Sequence, residues 1–359
     1  MLKIIHGADF HLDSPFSGLT PERAARRRGE QRELLDALAK LAREKGADLV
    51  LLAGDLLDSE RVYRETAQAL RAALASIPCP VFISPGNHDF YSERSVWAAL
   101  DWPDNVHIFR SRELERVDLP GCALWGRAFI DAHEECCPLE GLAVSDDGRL
   151  HIACLHGDLN GTGGYGPITP MDIAASGLDY LALGHVHQAS GLKKEGKTFW
   201  AYPGCPEGRG FDELGEKGVL YLEAEPGQVK ARFVPLAKVR YEIFTVDITG
   251  PEGALSNILE VLPGKTSDLV CRIILTGEGE APNLANLEQM LSPEFYGLAI
   301  IDRTRLPRDL WARREEDNLT GLFLGAMWEK CQENPDDPLL QLAARYGLAA
   351  LESGEEAGA

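Results

Sequence analysis

The chain has 359 residues, of which 45% are hydrophobic and 26% charged, a composition typical of a folded globular protein. Its formal net charge of −20 opposes binding to a polyanion unless cationic residues are gathered locally. No apolar run reaches the roughly 18 residues of a membrane span, and no signal-peptide pattern occurs, so we expect a cytoplasmic protein without a membrane segment. The eight cysteines form no CxxC pair, which excludes a clustered thiolate site as the interpretation.

The first part of the chain alternates strand-like apolar runs with helical patterns. We predict strands at 2–8, 48–54 and 80–86, and helices at 21–47 and 64–77. This alternation indicates parallel strands joined by right-handed crossovers. From about residue 105 the runs are short and are divided by Gly and Pro, which predicts a second, more antiparallel sheet packed on the first.

Two further segments follow. Residues 238–314 contain three strand-like runs with two helical patterns between them, which predicts a small α+β domain. Residues 315–359 contain two amphipathic helices separated by "PDDP". We therefore predict an α/β protein with a two-sheet catalytic domain at 1–237, a small domain at 238–314 and a helical tail at 315–359.

Polar clusters follow five of the strand-like runs. They are "DFH" (9–11), "GDLLD" (54–58), "GNHD" (86–89), "HGD" (156–158) and "GHVH" (184–187). Because the carboxyl ends of parallel strands meet at one edge of a sheet, these side chains are expected to converge there. Any one cluster alone is more often a turn or a helix cap, whereas five in this order indicate a site.

The residue types indicate a metal centre. Five of the nine histidines lie in these clusters, and for the other four (His6, His107, His133 and His151) we expect packing or surface roles. Imidazole together with carboxylate and amide oxygens suits Mn²⁺, Fe or Zn²⁺, and the clusters supply enough ligands for two ions.

The series DxH, GDxxD, GNHD, an isolated His–Gly and GHxH resembles the calcineurin-like metallophosphoesterases. "HGADFHLDSPFSGL" and "YLALGHVHQ", with the following "YPGCPEGRGFDELGEKG", look most like the SbcD-type DNA repair nucleases and their YhaO-like branch. The resemblance is strong over about 235 residues. It implies a two-sheet metallophosphoesterase sandwich flanked by helices, with the second domain as a capping domain that orients DNA.

The same resemblance implies a division of the metal ligands. One ion would be held by Asp9, His11, His187 and a bridging Asp55, and the other by Asp55, Asn87, His156 and His185. A bridging carboxylate suits the two-metal arrangement used in phosphoryl transfer. The two divalent ions are expected to be Mn²⁺, with Fe or Zn²⁺ as alternatives.

Two further residues receive roles from the resemblance. His88 would face the phosphate as a catalytic group, and Asp58 would hydrogen-bond His88 and keep it cationic.

Arg209, in a Gly-rich loop, is the preferred substrate contact. Arg27 and Arg127 belong to a wider set of candidate phosphate contacts, and Tyr165 could stack on a base or simply pack. Asp89 is either a partner of the ligand loops or a cap, and Asp13 is expected to be a loop cap.

The partners implied are DNA, a coiled-coil ATPase of the SbcC type that grips the helical tail, and a second copy of the chain paired through catalytic-domain helices. An apolar stripe of Leu319, Leu322, Phe323 and Met327 would supply the tail contact, or these helices would pack on their own core.

The preferred function is a Mn²⁺-dependent DNA exo- or endonuclease. The alternatives are a phosphoesterase acting on a small nucleotide or lipid-linked phosphodiester, which the acidic charge favours, and a non-catalytic binding scaffold.

Overall fold

A computed structural model describes residues 1–356 of the protein, except residues 18, 160, 162, 251, 280, 281, 306, 307 and 336. The chain divides into two compact units, Met1–Lys238 and Val239–Ala359. The boundary predicted at residues 314 and 315 falls inside the second unit.

The first unit contains the predicted alternation of strands and helices. Its strands are β1 (Leu2–Gly7), β2 (Leu49–Leu52), β3 (Val81–Ile83), β4 (Val106–Ile108), β5 (Glu115–Leu119), β6 (Cys122–Gly126), β7 (Leu150–His156), β8 (Asp158–Leu159), β9 (Pro167–Ile168), β10 (Tyr180–Gly184), β11 (Lys193–Glu195), β12 (Thr198–Ala201), β13 (Gly218–Glu225) and β14 (Gln228–Pro235). Its helices are α1 (Pro21–Lys45), α2 (Arg64–Ala75), α3 (Val96–Ala99) and α4 (Pro170–Ser176).

Two six-stranded sheets organise this unit. The first has the order β14–β13–β1–β2–β3–β4, and the second has the order β11–β12–β10–β7–β6–β5. Successive residues of a strand face opposite sides of its sheet. Ile4 accordingly packs in the apolar cluster shared with Ile152 and Tyr180 of the second sheet, whereas Ile5 packs against Leu38 of α1. The predicted two-sheet sandwich flanked by helices is confirmed.

The predicted direction of the second sheet is wrong. Its inner neighbours β6–β7, β7–β10 and β10–β12 are parallel, and the antiparallel pairs are β5–β6 and β11–β12 at its edges. The first sheet has the same balance, with β13 and β14 added antiparallel to β1. The Gly- and Pro-rich segments between inner strands of the second sheet carry the chain back across the sheet, so the next strand enters at the same end.

Local signals explain the bounds of α1. Thr20 caps its first turn by accepting a hydrogen bond from the Arg23 N–H, and Pro21 takes the first helical position. Gly46 ends the helix with a left-handed φ of 57°. Leu34, Leu38 and Leu41 are buried on the sheet side, as their spacing predicts.

The second unit begins with three parallel strands joined by helices. Its elements are β15 (Arg240–Asp247), α5 (Ala254–Val261), β16 (Leu269–Thr276), α6 (Leu284–Leu291), β17 (Gly297–Asp302), α7 (Arg308–Ala312), α8 (Leu319–Glu333) and α9 (Pro338–Glu356), with short 3₁₀ turns at Ser292–Glu294 and Arg313–Glu315. The sheet order is β15–β16–β17. Val246, Ile273 and Leu287 contribute to its core.

The C-terminal helices are also tied into this unit. Leu324 of α8 and Leu348 of α9 pack with Trp311 in a separate apolar cluster. Arg345 of α9 is 3% exposed and lies 2.8 Å from a carboxylate oxygen of Asp302, at the end of β17. Because one partner of a buried ion pair is costly to remove, α9 contributes to the stability of the unit.

Two expectations about composition can be compared with the structure. All eight cysteines are free thiols and six of them are buried, in agreement with their interpretation as small apolar residues. Across the described residues, no helix combines the length and apolar character required to cross a bilayer.

Candidate metal centre

The polar residues at or just beyond the ends of β1, β2, β3, β7 and β10 lie together at one edge of the first unit. We call Asp9, His11 and His187 group one, and Asp55, Asn87, His156 and His185 group two. Within group one, and among the carboxylate and histidines of group two, the ligand atoms lie within 4.8 Å of one another. Asn87 Oδ1 is 3.0 Å from His156 Nε2. These are the seven positions predicted from the sequence.

Asp55 lies between the two groups. Its Oδ2 atom is 3.5 Å from Nε2 of His156 and 3.8 Å from Nε2 of His11. Its other carboxylate oxygen accepts a hydrogen bond of 2.9 Å from the main-chain N–H of His88. A carboxylate in this position can serve both groups.

The backbone is strained where the ligands lie. Among the described residues other than glycine, six have positive φ angles, and four of these are Asp9, His11, Asp55 and His185, with φ values of 56°, 45°, 51° and 112°. Such conformations cost on the order of 1–3 kcal/mol each, and they persist where the surrounding structure enforces them. They turn the side chains from the strand ends toward a common point.

Two glycines allow the loops to approach each other. A Cβ atom on Gly54, whose φ is 87°, would lie 2.5 Å from Nδ1 of His156. A Cβ atom on Gly86 would overlap the carboxylate of Asp55. The glycines of "GDLLD" and "GNHD" are therefore required by the packing around Asp55 and His156.

The two buried aspartates differ in their ionisation. Burial, together with the neighbouring Asp55, raises the pKa of Asp9 well above its usual range. Burial also opposes ionisation of Asp55, but the nearby His156 and His11 lower its pKa overall. Asp55 therefore favours its charged form, whereas Asp9 favours its neutral form unless a nearby cation offsets the cost of charging it.

Burial favours the neutral, metal-binding form of three histidines of the two groups, His11, His156 and His185. Burial lowers the pKa of His11 to about 4 and that of His185 to about 4, and it also lowers the pKa of His156. Nε2 of His11 and Nε2 of His187 are only 3.1 Å apart. Imidazole nitrogens that face each other beside carboxylates form a donor set that fits a divalent cation.

Each histidine has a different neighbour on its other side. Nδ1 of His187 lies 2.7 Å from Glu213 Oε1, and Nδ1 of His11 lies 3.2 Å from Asp58 Oδ1. Nδ1 of His156 lies 2.9 Å from the main-chain carbonyl oxygen of Ala53. The ring of His185 is stacked against Tyr165, with centroids 5.3 Å apart.

The predicted contact between Asp58 and His88 is made by the main chain of Asp58 rather than by its carboxylate. Nδ1 of His88 lies 2.9 Å from the main-chain carbonyl oxygen of Asp58. The Asp58 carboxylate instead accepts from Ser14 Oγ at 2.9 Å and faces His11, because its side chain turns back toward β1. His88 itself is exposed beside group one, its ring centroid 4.7 Å from that of His11.

The contacts of Arg209 differ from the predicted substrate contact. Its guanidinium lies between the carboxylates of Asp58, at 3.1 Å, and Glu213, at 2.8 Å. Hydrogen bonds from His187 and Arg209 overcome the effect of burial and hold the pKa of Glu213 well below its usual range. Arg209 is thus engaged within the site.

Two other arginines considered as phosphate contacts are also internal. Arg27 is 2% exposed and pairs with Glu207 at 2.8 Å, and Arg127 is 8% exposed and pairs with Glu134 at 2.6 Å. Their burial in ion pairs makes both structural residues, contrary to the prediction.

Three remaining predictions concern loop residues. Asp89 is buried and accepts main-chain hydrogen bonds from Gly86, Asp55, Leu56 and Leu57, so it ties together the loops after β2 and β3. Asp13 accepts from the Tyr63 N–H and the Thr66 hydroxyl at the start of α2, so it is a cap. Tyr165 lies between the rings of His133 and His185.

Glu213 is the residue that sequence reasoning missed. It lies 26 residues beyond His187, in the loop between β12 and β13, and it is buried against the histidine. The signal available was "GRGFDELGEKG", in which an acidic residue follows an arginine by four positions. That pattern alone is equally typical of a solvated turn.

Comparison with known proteins agrees with this site. The family model of the calcineurin-like phosphoesterases matches residues 2–189, the segment that contains all seven ligand positions. The chain belongs to this family. As a calcineurin-like phosphoesterase, it is a metal-dependent hydrolase of phosphoesters, and the resemblance found in its motifs is confirmed.

Three curated relatives show which members of the family this phosphoesterase is similar to. The uncharacterized metallophosphoesterase YhaO of Bacillus subtilis is 30% identical, over 96% of this chain and 90% of the relative. The SbcD component of the SbcCD nuclease of Bacillus subtilis is 24% identical, over 63% of this chain and 67% of the relative. The corresponding SbcD component of Staphylococcus epidermidis is 25% identical, over 67% of this chain and 71% of the relative.

Proposed function

We propose that this phosphoesterase is a nuclease that hydrolyses DNA phosphodiester bonds in DNA repair. The observation that carries the proposal is the pair of ligand groups joined at Asp55, with the exposed His88 beside them. Two relatives named as nuclease components, at 24% and 25% identity, support a nucleic acid as the substrate, and of the nucleic acids we propose DNA.

The proposed ligand sets are group one with Asp55 for one ion and group two for the other. Bound divalent ions supply positive charge that neutralises a phosphodiester and lowers the pKa of water. Mn²⁺ is the metal that we propose, since it accepts the mixed imidazole and oxygen donors present here. Beside these charges Asp55 would stay ionised, and Asp9, whose pKa is raised by burial, would lose its proton.

His88 is proposed to act on the phosphodiester directly. The carbonyl oxygen of Asp58 can only accept a hydrogen bond, so Nδ1 of His88 carries the hydrogen between them. Nε2 of the exposed ring is then available for the substrate. In the imidazolium form, in which Nε2 also carries a hydrogen, it would donate that proton to the leaving oxygen or stabilise the charge that develops on the phosphoryl oxygens.

The experiment compares DNA with a small ester. Purified protein is incubated with Mn²⁺ or Mg²⁺ and with linear DNA, single-stranded DNA or bis-p-nitrophenyl phosphate. We expect DNA cleavage with Mn²⁺ and little with Mg²⁺ alone. The Asp55→Ala variant, purified in parallel, should cut nothing, which controls for contaminating nucleases. Hydrolysis of the small ester together with no cleavage of any DNA would contradict the proposal.

One observation favours the alternative of a small phosphodiester. The formal net charge of −20 opposes a polyanionic substrate, and Arg27 and Arg127 are already paired with carboxylates. The salt dependence of DNA binding decides between them. A DNA enzyme should lose affinity steeply as salt rises, whereas a small-ester enzyme should show no measurable binding even at low salt.

The second unit is proposed to bind DNA and a partner. Leu319 and Leu322, at the start of α8, are 64% and 74% exposed, whereas Phe323 and Met327 pack against the apolar cluster of Trp311 and Leu324. The predicted stripe is therefore divided between surface and core. We propose that its exposed part contacts a coiled-coil ATPase of the SbcC type.

The partner proposal is tested by substitution, because deleting the tail would remove Arg345 from the buried Asp302. Leu319→Glu/Leu322→Glu should abolish binding of such an ATPase and leave metal content unchanged. Leu259→Glu, at a residue of α5 that is 56% exposed, is the matched control. Equal binding by wild type and double variant would contradict the proposal.

We further propose a homodimer in the cytoplasm, and sedimentation of the full chain would test the dimer.

A further inference from the structure

Arg209 contacts two carboxylates, and each carboxylate faces a different histidine of group one. Its Nη1 atom is 3.1 Å from Asp58 Oδ1, and its Nη2 atom is 2.8 Å from Glu213 Oε1. Asp58 in turn lies 3.2 Å from Nδ1 of His11, and Glu213 lies 2.7 Å from Nδ1 of His187. One guanidinium therefore joins both histidines through these two carboxylates, and its Nη2 atom also lies 3.2 Å from Nδ1 of His187 itself.

The carboxylates favour one tautomer of each ring, and at His187 Glu213 is closer to Nδ1, at 2.7 Å, than Arg209 is, at 3.2 Å. A carboxylate that faces Nδ1 favours the tautomer with hydrogen on that atom and leaves the lone pair on Nε2. The two Nε2 atoms lie 3.1 Å apart. Both lone pairs are then directed at one point beside Asp9, where a cation of group one would bind.

The arginine is needed because the carboxylates are hard to hold without it. Glu213 is 6% exposed, and its oxygens accept from the main-chain N–H and the guanidinium of Arg209. Removing the guanidinium would leave a buried carboxylate with fewer donors, so its side chain would move toward water. The ring of His187 would lose its fixed orientation with it.

Group two has no such support. His156 is held by the main-chain carbonyl oxygen of Ala53, and His185 is stacked against Tyr165. Neither contact includes Arg209, Asp58 or Glu213. An effect that passes through Arg209 should therefore reach one ion and spare the other.

We propose that Arg209 is a positioning residue that sets the affinity of the group-one metal ion without touching it. The proposal uses the two-ion site of the proposed function but is independent of the substrate being DNA. Such outer partners of metal ligands typically change affinity by about 10- to 100-fold.

The test is metal binding to the full-length apo-protein by Arg209→Gln and Arg209→Lys. Titration calorimetry with Mn²⁺ should give two ions for the wild type. In Arg209→Gln, one ion should keep its affinity and the other should bind roughly 10- to 100-fold more weakly. Arg209→Lys should lose less, because an ammonium retains the charge but not the two-armed contact. In electron paramagnetic resonance, the signal of a spin-coupled Mn²⁺ pair should give way to that of an isolated ion in Arg209→Gln.

A matched control exists in the same unit. Arg149 also pairs with two carboxylates, Asp118 at 2.8 Å and Asp147 at 2.5 Å, and Asp147 lies 2.8 Å from His151. No residue of this set belongs to the ligand groups. Arg149→Gln should keep both ions at wild-type affinity.

Three results would overturn the proposal. They are full affinity at both positions in Arg209→Gln, an equal loss at both, and a wild type that binds a single ion. If the wild type binds two ions and Arg209→Gln behaves as expected while DNA is never cut, the DNA substrate is refuted and the role of Arg209 stands.

Discussion

The two ligand groups are supported by different parts of the chain. In group two, His156 is the last residue of β7 and faces a main-chain carbonyl oxygen, so the sheet itself orients the ring. In group one, His187 lies three residues beyond β10 and depends on Glu213, a side chain of a distant loop. Two histidines in corresponding candidate ligand positions can therefore differ in their support, since one is oriented by its own sheet and the other by a side chain far away in the sequence.

The largest expected effect is the loss of both metal ions, which removes the difference between the two groups. Asp55→Ala should release both ions and lower hydrolysis of bis-p-nitrophenyl phosphate by roughly 10³-fold or more, because the charge supplied at both positions is lost together. Metal content measured after desalting checks this. A variant that retains one tightly bound ion would show that Asp55 belongs to one group.

The next effect separates chemistry from metal binding. His88→Gln should keep both ions and lower kcat by roughly 10²- to 10⁴-fold, because an amide cannot transfer the proton. His107→Gln is the matched control, since His107 lies in β4 and pairs with Glu115 at 3.0 Å, apart from the ligand groups. Loss of metal in parallel with kcat would refute the role given to His88.

A third pair of variants tests how the two groups are supported. Glu213→Gln should weaken the group-one ion by roughly 10- to 100-fold, because the charged partner of His187 is lost. Tyr165→Leu should weaken the group-two ion by only roughly 2- to 10-fold, since an aromatic contact is worth about 0.5–1.5 kcal/mol. Calorimetric titration with Mn²⁺ measures both. Equal losses would contradict the difference described between the groups.

The smallest effect concerns a histidine outside both groups. His6 of β1 is fully buried, and burial lowers its pKa to about 3. The unfolded chain takes up this proton near pH 6.5 and the folded chain does not, so stability is lost as pH falls from about 6.5 toward about 3.

Between pH 7 and 5 this group should remove about 2 kcal/mol from the free energy of unfolding. Urea unfolding in EDTA at the two pH values checks it, and His6→Gln should show a smaller pH difference. The histidines of the ligand groups add a dependence on pH that Mn²⁺ changes, whereas the contribution of His6 should stay the same with or without metal. An unchanged pH difference in His6→Gln would exclude this contribution.

The positions of the elements could be predicted because their signals are local. One segment of the chain contains all the signals for α1, which are its apolar face, its cap at Thr20 and its end at Gly46. The strand directions of the second sheet could not be predicted, since each direction depends on how a long connection crosses the sheet. The same limit applies to Asp58, whose main chain and side chain serve different histidines.

By itself, the sequence was enough to predict the candidate ligand residues of this phosphoesterase, because Asp, Asn and His follow strand ends in the order that resembles the family. The side chains that contact them could be identified only from the tertiary structure. Glu213 contacts His187, Arg209 lies between two carboxylates, and Asp89 accepts a hydrogen bond from the main chain of Asp55. The physical reason is distance along the chain. Arg209 meets Asp58 across a separation of 151 positions, and no local pattern records a contact that two folded loops create.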